Sequence, residues 1–303
     1  MRYARTIPCL LAGLLVGPLV AQAATAPVKA PDAAALRAWL LPNAKAPEAA
    51  AWPPLLTALT TLLEAPEPEV RDDLAFTLLA KWLVRDRVVP VAERHKLLDT
   101  WLPKLRVVDG APPDAVVGRS FAALCLGLLV ALDNQEPWLS PAEFARLQAA
   151  AVDYLRAEPD VRGFDDRLGW VHSVAHTADL LKFLARSEHL QPAGQTVLLD
   201  AIADKLQATT LPLTCGEDER LARAVLSLAA RDDFDAAGFA AWLSKAWPAA
   251  GPGAPSVAAL AREHNQRHLV LALHALLAVD PRPAATLAAA RTAVAAHLQK
   301  RLR

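Results

Sequence analysis

The sequence has none of the short motifs that mark the commonest enzyme sites. It contains no G-x-x-x-x-G-K-S/T phosphate loop, no G-x-G-x-x-G fingerprint, no G-x-S-x-G elbow and no C-x-x-C pair. These motifs supply backbone N–H groups for phosphates, an exposed nucleophile or a redox-active pair of thiols. Their absence disfavours nucleotide-dependent chemistry, serine hydrolysis of the common type and thiol–disulfide exchange.

The chain also has no excess of charge of either sign. Its 32 lysine and arginine residues balance 32 aspartate and glutamate residues, and no basic run is interleaved with aromatic residues. Proteins that bind nucleic acid need a concentrated positive surface to neutralise the phosphates. We therefore expect no nucleic-acid partner.

Cysteine is scarce, with three residues in the chain. Cys9 lies in the N-terminal segment, which leaves Cys125 and Cys215 as the thiols of the remaining chain. Two cysteines allow one disulfide in an oxidising compartment, whereas free cysteine is among the most buried residue types. Both alternatives stay open on the sequence alone, and without a bond we expect both thiols to be buried.

The N-terminus carries the pattern of a secretory signal peptide. Arg2 and Arg5 precede an apolar run over residues 7–20, which ends at the small-residue cleavage site Ala21-Gln22-Ala23. The apolar run is shorter than the roughly 20 residues that span a bilayer. This order of features predicts a signal peptide over residues 1–23.

Cleavage after Ala23 implies that the protein is exported, to the periplasm or the medium. The next residues, 24–31, are small and include prolines, and we expect them to form a flexible mature N-terminus. The mature chain is expected to contain no transmembrane segment. Residues 32–303 are then predicted to form a single helical domain.

Helical periodicity dominates the rest of the sequence, and most of the prolines lie between the periodic segments. Ser140-Pro141-Ala142-Glu143 matches a capping box, and Asp114 is a second candidate N-cap. The predicted helices cover residues 32–41, 52–64, 69–85, 90–106, 114–132, 140–157, 167–187, 193–209, 216–230, 234–247, 257–279 and 283–302.

This pattern predicts an all-α fold. About twelve helices with short connections favour antiparallel helix pairs packed side by side. Several helices are apolar almost all round, as over residues 121–132, and such a helix must be covered on both sides. We therefore predict stacked antiparallel helix pairs, arranged as a degenerate α-solenoid or an α/α toroid.

The first candidate site lies in the predicted helix 167–187. At 3.6 residues per turn, His172, His176 and Asp179 fall within a sector of about 60°, away from the apolar face. Two imidazoles and a carboxylate at this spacing suit a divalent metal ion, or an acid–base histidine held by the carboxylate. A structural hydrogen-bond network between helices is the third alternative, and all three stay open. Trp170 adjoins the motif and is expected to wall a pocket there.

The second candidate is the acidic start of the next helix but one. Glu217, Asp218 and Glu219 follow Gly216, and the helix dipole by itself favours carboxylates at this position. Alternatively, one of these carboxylates meets the histidine face from a neighbouring helix. We predict that one of the three acids lies close to His172 and His176.

A third polar run contains a further pair of histidines, His264 and His268, spaced by four residues. An exposed polar turn of a helix explains this run, and metal binding is the alternative.

Four segments of the chain resemble a bacterial family of uncharacterised proteins, the domain of unknown function 2785 (DUF2785). They span residues of about 65–230, and the third is the most specific. The resemblance implies an all-helical domain with no assigned activity, and it supplies no catalytic residues. The segments are Arg71-Asp72-Asp73-Leu74-Ala75 with Trp82, Arg119-Ser120-Phe121 to Asp133-Asn134, Arg162-Gly163 through Gly169-Trp170-Val171-His172 to His176 and Asp179, and Gly216-Glu217-Asp218-Glu219-Arg220-Leu221.

These observations leave two classes of function. The first is an exported interaction or ligand-binding protein of the cell envelope, with a protein or small-molecule partner, because stacked helix pairs offer concave surfaces. The second is a hydrolase-type enzyme that uses His172, His176 and Asp179, with or without a divalent metal ion.

Overall fold

The computed structural model describes residues 33–41, 44–249 and 254–302. The predicted signal peptide, residues 1–23, and the predicted flexible mature N-terminus, residues 24–31, lie outside the described residues.

The described part of the chain contains twelve α-helices and one two-stranded hairpin, which confirms the predicted all-α class. Two 3-10 turns, Ala49–Ala51 and Leu102–Leu105, and two π-helical segments, Glu69–Phe76 and Lys81–Arg85, extend or precede these helices. The α-helices are α1 (Ala33–Leu40), α2 (Trp52–Leu62), α3 (Thr77–Ala80), α4 (Val91–Trp101), α5 (Ala115–Asp133), α6 (Pro141–Ala157), α7 (Ser173–Arg186), α8 (Pro192–Ala208), α9 (Glu217–Ala229), α10 (Ala236–Ala246), α11 (Val257–Val279) and α12 (Ala288–Arg301).

From α4 onwards, the helices form two rows, as the prediction of stacked helix pairs requires. The odd-numbered helices α5, α7, α9 and α11 pack one against the next in the first row. The even-numbered helices α6, α8, α10 and α12 pack in the second row. Consecutive helices such as α6 and α7 connect the rows, so each helix pair contributes one member to each row.

Helix α5 lies at the centre of this arrangement. Its sequence is apolar on all sides, and it packs against α4, α7 and the 3-10 turn at Leu102–Leu105. Among the described helices it is the one that is long and apolar enough to cross a membrane, and 72% of that stretch is buried inside the protein. Such burial is also what a core helix shows, because it must be covered on every side.

Of the two predicted N-cap residues, Ser140 caps its helix and Asp114 does not. Ser140 forms the expected capping box with Glu143, whose backbone N–H donates to Ser140 Oγ at 3.2 Å. Asp114 precedes α5 but has helical backbone angles and makes no capping bond. Its carboxylate instead accepts two hydrogen bonds from Nη2 of Arg167, so the prediction of a cap at Asp114 is wrong.

The predicted helix 167–187 is wrong in its first turns. Residues Phe164–Asp165 (β1) and Gly169–Trp170 (β2) pair as an antiparallel hairpin, and α7 begins only at Ser173. Asp165 closes the turn, because its Oδ1 accepts the backbone N–H groups of Arg167 and Leu168 at 3.0 Å each. Gly169 has a φ of 68°, which glycine adopts without a steric penalty.

Neither Cys125 nor Cys215 forms a disulfide bond in this structure. Cys125 is buried in α5, and burial raises the pKa of its thiol. Cys215 precedes α9 and is only partly buried. The prediction that two unbonded thiols would both be buried is therefore right for Cys125 and wrong for Cys215, which lies in a connecting segment rather than inside a helix.

Candidate functional site

The hairpin is held against the start of α9 by a close approach at Gly163. The carbonyl of Gly163 accepts the backbone N–H of Val171 at 2.9 Å and that of His172 at 3.2 Å. A Cβ atom on Gly163 would lie 2.4 Å from Cβ of Cys215 and 2.5 Å from Oε1 of Glu217. Only glycine leaves room here for the start of α9.

His172 lies in the left-handed region of backbone conformation, with a φ of 49°. It is the residue that immediately precedes α7, and its carbonyl accepts the backbone N–H of His176 at 2.8 Å. Residues other than glycine adopt this conformation uncommonly, although asparagine, aspartate and histidine do so more often than the rest, and it costs on the order of 1–3 kcal/mol. Backbone strain of this kind is concentrated at functional sites, so the turn at His172 is a candidate functional site.

The imidazole of His176 has a defined tautomer. Ser120 Oγ donates its one proton to the carbonyl of Val171 and lies 2.8 Å from Nδ1 of His176. Nδ1 must therefore carry the proton and donate to Ser120, which leaves Nε2 as the acceptor of a neutral ring. The ring also packs edge-on against Phe121, with 4.9 Å between centroids.

His172 lies between His176 and the indole of Trp170. Its ring stacks on Trp170 at a centroid distance of 4.3 Å and contacts His176 edge-on at 5.6 Å. Nε2 of His172 is buried and has no hydrogen-bond partner among the described residues. Nε of the buried Arg71, which contacts the same hairpin, also lacks a partner, so His172 Nε2 is one of two unsatisfied buried atoms here.

Both imidazoles are held in the neutral form. Burial lowers the pKa of His172 to about 4, and the positive charge of Arg220 adds to this effect. Burial, together with the charges of His172 and Arg220, also lowers the pKa of His176 well below the usual value of a histidine. At neutral pH the pair can accept and donate hydrogen bonds but holds no proton ready to transfer as a general acid.

The prediction that this histidine face points away from the packing is wrong. His172 and His176 retain only 4% and 5% of their exposed surface. The sector of 60° assumed a helix that starts at residue 167. Residues before Ser173 form the hairpin instead, so the helical angle predicted for His172 does not apply. His176 is buried because α5 covers that side of α7, through Ser120 and Phe121.

Asp179 is not a partner of either imidazole ring. Its Oδ1 accepts from Nζ of Lys182 at 2.7 Å, and its Oδ2 accepts from Arg220. Within the described ranges, no group of three or more His, Cys, Asp and Glu residues is arranged to hold a metal ion. The set His172, His176 and Asp179 therefore does not form the metal site that their spacing allowed.

Of the three acids at the start of α9, one is buried beside Gly163. Glu217 is buried, its Oε2 accepts the backbone N–H of Cys215 at 2.8 Å, and burial raises the pKa of its carboxyl. Asp218 instead lies 3.9 Å from Nδ1 of His268 on α11. Glu219 is exposed and pairs with Arg223 on its own helix.

The second histidine pair forms a separate, shallower cluster on α11. The rings of His264 and His268 lie 3.9 Å apart between centroids, and both side chains are partly buried. Asp218 of α9 is the acid that faces them. As for the first pair, the described residues bring no third ligand into metal-binding geometry.

Arg71 is the residue of this cluster that the sequence did not identify, since it reads first as an end-of-helix charge or an ion-pair partner. Its guanidinium is fully buried and donates to the carbonyls of Ala65 at 3.0 Å and Leu168 at 2.6 Å. It also lies 4.8 Å above the ring of Phe121. Its hairpin partners are almost 100 positions away in the chain, so no local pattern signals the contact.

The outer surface of the cluster is apolar and exposed. Phe164 and Trp170 face each other across the hairpin, edge-on, at a centroid distance of 4.9 Å. Trp170 keeps 46% of its surface exposed and Phe164 keeps 51%. A contiguous exposed apolar patch is a candidate binding surface, and these two rings are neighbours.

The depressed pKa of His172 leads to a prediction about pH. The unfolded chain takes up a proton on this residue near pH 6.5, whereas the folded chain does so only near pH 4. Between these values the unfolded state binds more protons, so stability is lost as the pH falls. We expect His172 to account for up to about 2 kcal/mol of this loss, because solvent screening reduces the full effect of the pKa shift.

Urea unfolding at neutral pH and at about pH 4.5 measures this loss. His172→Gln should reduce the dependence on pH and leave the part that His176 contributes, while His264→Gln, at a histidine outside the cluster, should keep the wild-type slope. The buried carboxyl of Glu217 contributes with the opposite sign, and it cancels in the comparison of variants. Equal slopes for wild type and His172→Gln would contradict the assignment.

Comparison with known proteins gives one match. A family described as "Protein of unknown function (DUF2785)" matches residues 105–275, which is more than half of the chain. The match begins and ends later than the region of about 65–230 over which the four segments resemble that family. No curated protein and no solved structure is significantly similar to the chain.

Proposed function

The chain belongs to the DUF2785 family, whose function is unknown, and from the geometry of the site we propose that it is a ligand-binding protein. The site is the aromatic surface of Phe164 and Trp170 above the buried histidine pair. The observation that carries the proposal is the exposed indole of Trp170, stacked on a buried, neutral His172 that has an unpartnered nitrogen.

The hairpin that carries Phe164 and Trp170 is held in place by contacts with the rest of the protein, which favours a binding role for the two rings. Arg71 holds the carbonyl of Leu168, and Gly163 brings the hairpin against α9. A surface that is already ordered loses little conformational entropy when a ligand binds, which increases affinity. The two aromatic side chains are therefore presented in one fixed arrangement.

The chemistry of this surface suits a ligand with a flat apolar face. One side of the Trp170 indole is covered by His172, and Phe164 meets it edge-on. Rings prefer offset-stacked or edge-on contacts of this kind, so the exposed remainder of the indole favours an aromatic ring or the C–H face of a sugar.

The hydrolase alternative has less support from the same contacts. A neutral histidine with a pKa of about 4 is a weak base at neutral pH. Asp179, which would orient that histidine, is held by Lys182 and Arg220. Binding needs none of these groups to transfer a proton.

The proposal places the ligand in the cell envelope, because the sequence begins with the pattern of a secretory signal peptide over residues 1–23. N-terminal sequencing of the protein recovered from the periplasm should start at Ala24. If the chain keeps Met1 and stays in the cytoplasm, the proposed location in the cell envelope is wrong, but the proposed binding site is unaffected.

Fluorine NMR of protein labelled with 5-fluorotryptophan tests the site, with indole and an N-acetylglucosamine oligomer as probes. The Trp170 resonance, assigned from Trp170→Phe, should shift on titration with at least one probe. The resonance of Trp82, which is fully buried, should stay in place.

Trp170→Ala should then abolish binding of that probe, while Leu211→Ala, at an exposed leucine elsewhere, should leave the affinity unchanged. Two results would overturn the proposal. One is saturable binding that leaves the Trp170 resonance unmoved, and the other is the failure of both probes to bind at millimolar concentration.

A further inference from the structure

An open cavity of about 610 Å³ lies on another part of the protein, where α7 and α9 end. Arg186 in the last turn of α7, Arg231 after α9 and Arg282 before α12 all line it. Whether this cavity can bind an anion depends on which of the three guanidinium groups are already paired with acids.

Arg231 is fully engaged within the protein. It donates to the carbonyls of Ala185, Ser187 and Leu190, and it pairs with Asp233. The C-terminal end of a helix carries partial negative charge on its free carbonyls. Because Arg231 occupies carbonyls at the end of α7, this wall of the cavity does not repel an anion.

Arg186 has no acidic partner among the described residues. Its Nε donates to Ser227 Oγ at 3.1 Å, which orients the guanidinium, and neither terminal nitrogen makes a hydrogen bond. Arg282 uses Nε and Nη2 on Asp280, which leaves its Nη1 free. The cavity thus offers unused N–H donors from two arginines.

The charges that shift the pKa of Arg186 are mainly positive. Burial lowers the pKa of its guanidinium, and the nearby charges of Arg282 and Arg223 lower it further. Asp179 is the carboxylate that opposes this shift. Glu188 and Asp232 also line the cavity, but neither forms an ion pair with a guanidinium in the described structure. An anion beside Arg186 would relieve the repulsion between like charges.

We propose that this cavity binds a small ligand through an anionic group, either a carboxylate or a phosphate, held by the free N–H groups of Arg186 and Arg282. Arg186 offers both terminal nitrogens and Arg282 offers Nη1 to the oxygens of such a group, and charge-assisted hydrogen bonds of this kind are the strong ones. Ser227 holds Arg186 in place before the ligand arrives.

Calorimetric titration of the whole protein at low ionic strength, with inorganic phosphate and with succinate as separate probes, tests this proposal. At least one probe should bind, and Arg186→Gln should weaken that binding by about tenfold or more. Binding of phosphate alone assigns a phosphate group to the natural ligand, and binding of succinate alone assigns a carboxylate.

The control is Arg85→Gln, at an exposed arginine that is paired with Asp86 far from the cavity, and it should bind as the wild type does. Because Arg186 makes one side-chain hydrogen bond, to Ser227, and no ion pair among the described residues, its substitution should change the urea midpoint little. The proposal is overturned if neither probe binds, or if Arg186→Gln binds as tightly as the wild type. Trp170→Ala should keep phosphate or succinate binding, which separates this site from the aromatic one.

Discussion

Arg71→Met is expected to lower the free energy of unfolding by about 3–5 kcal/mol, because it removes the charge that links the hairpin to the helices. Methionine fills a similar volume, so the loss comes from hydrogen bonds rather than from a cavity. The carbonyls of Ala65 and Leu168 would lose their donor, and a buried group left without a partner costs about 1–3 kcal/mol.

Urea unfolding followed by circular dichroism measures this change. Arg85→Met removes an exposed arginine and its ion pair with Asp86, and it should change stability by less than about 0.5 kcal/mol. Arg71→Lys should recover only part of the loss, since an ammonium group cannot reproduce the fork of a guanidinium. If Arg71→Met is as stable as Arg85→Met, the guanidinium does not hold the hairpin.

Gly163→Ala is expected to lower the free energy of unfolding by about 3 kcal/mol, at the upper end of the usual range for overpacking. The added Cβ would lie 2.4 Å from Cβ of Cys215, which is far inside van der Waals contact. Neither atom can rotate away, because each is attached directly to the backbone. The hairpin and the start of α9 would have to separate, so the Trp170 resonance should shift as well.

The same chemical change at Gly118, inside α5, serves as the control. A Cβ there meets Cγ of Glu64 at 3.0 Å, and that side chain is flexible. Alanine is preferred over glycine within a helix by up to about 1 kcal/mol, so Gly118→Ala should be neutral or stabilising.

Adding Cys215→Gly to Gly163→Ala removes the clash with Cys215 and leaves the one with Oε1 of Glu217, so it should restore part of the lost stability. A stable Gly163→Ala single variant would show that the close approach at Gly163 is not required.

The four segments that carry the family resemblance meet at one place in the structure. Arg71, Ser120, His172 and Glu217 come from the four different segments, and each has a buried side chain in or beside the histidine cluster. The sequence singled out His172, His176 and Trp170, and the rings of these three residues lie together. Glu217 lies against Gly163, and its closeness to the imidazoles stays a prediction. The sequence included Asp179, Asp218 and Glu219 in the same cluster, whereas their carboxylates face Lys182, His268 and Arg223.

The amino-acid sequence by itself determined the features that depend on neighbours within a few positions. The capping box at Ser140 and the apolar length of α5 are of this kind, because their hydrogen bonds and periodicity are local. For the same reason the helix bounds agree closely for α6 and α11.

The hairpin and the burial of the two histidines became apparent only from the tertiary structure. Residues 167–172 carry no proline but contain Gly169, which disfavours a helix, and Arg71 binds the carbonyl of Leu168 from another part of the chain and favours the hairpin. The burial of His176 likewise depends on α5, more than 50 positions earlier. Contacts of this range leave no period or spacing in the sequence, so the side chains that surround each imidazole became known only once the helices were packed.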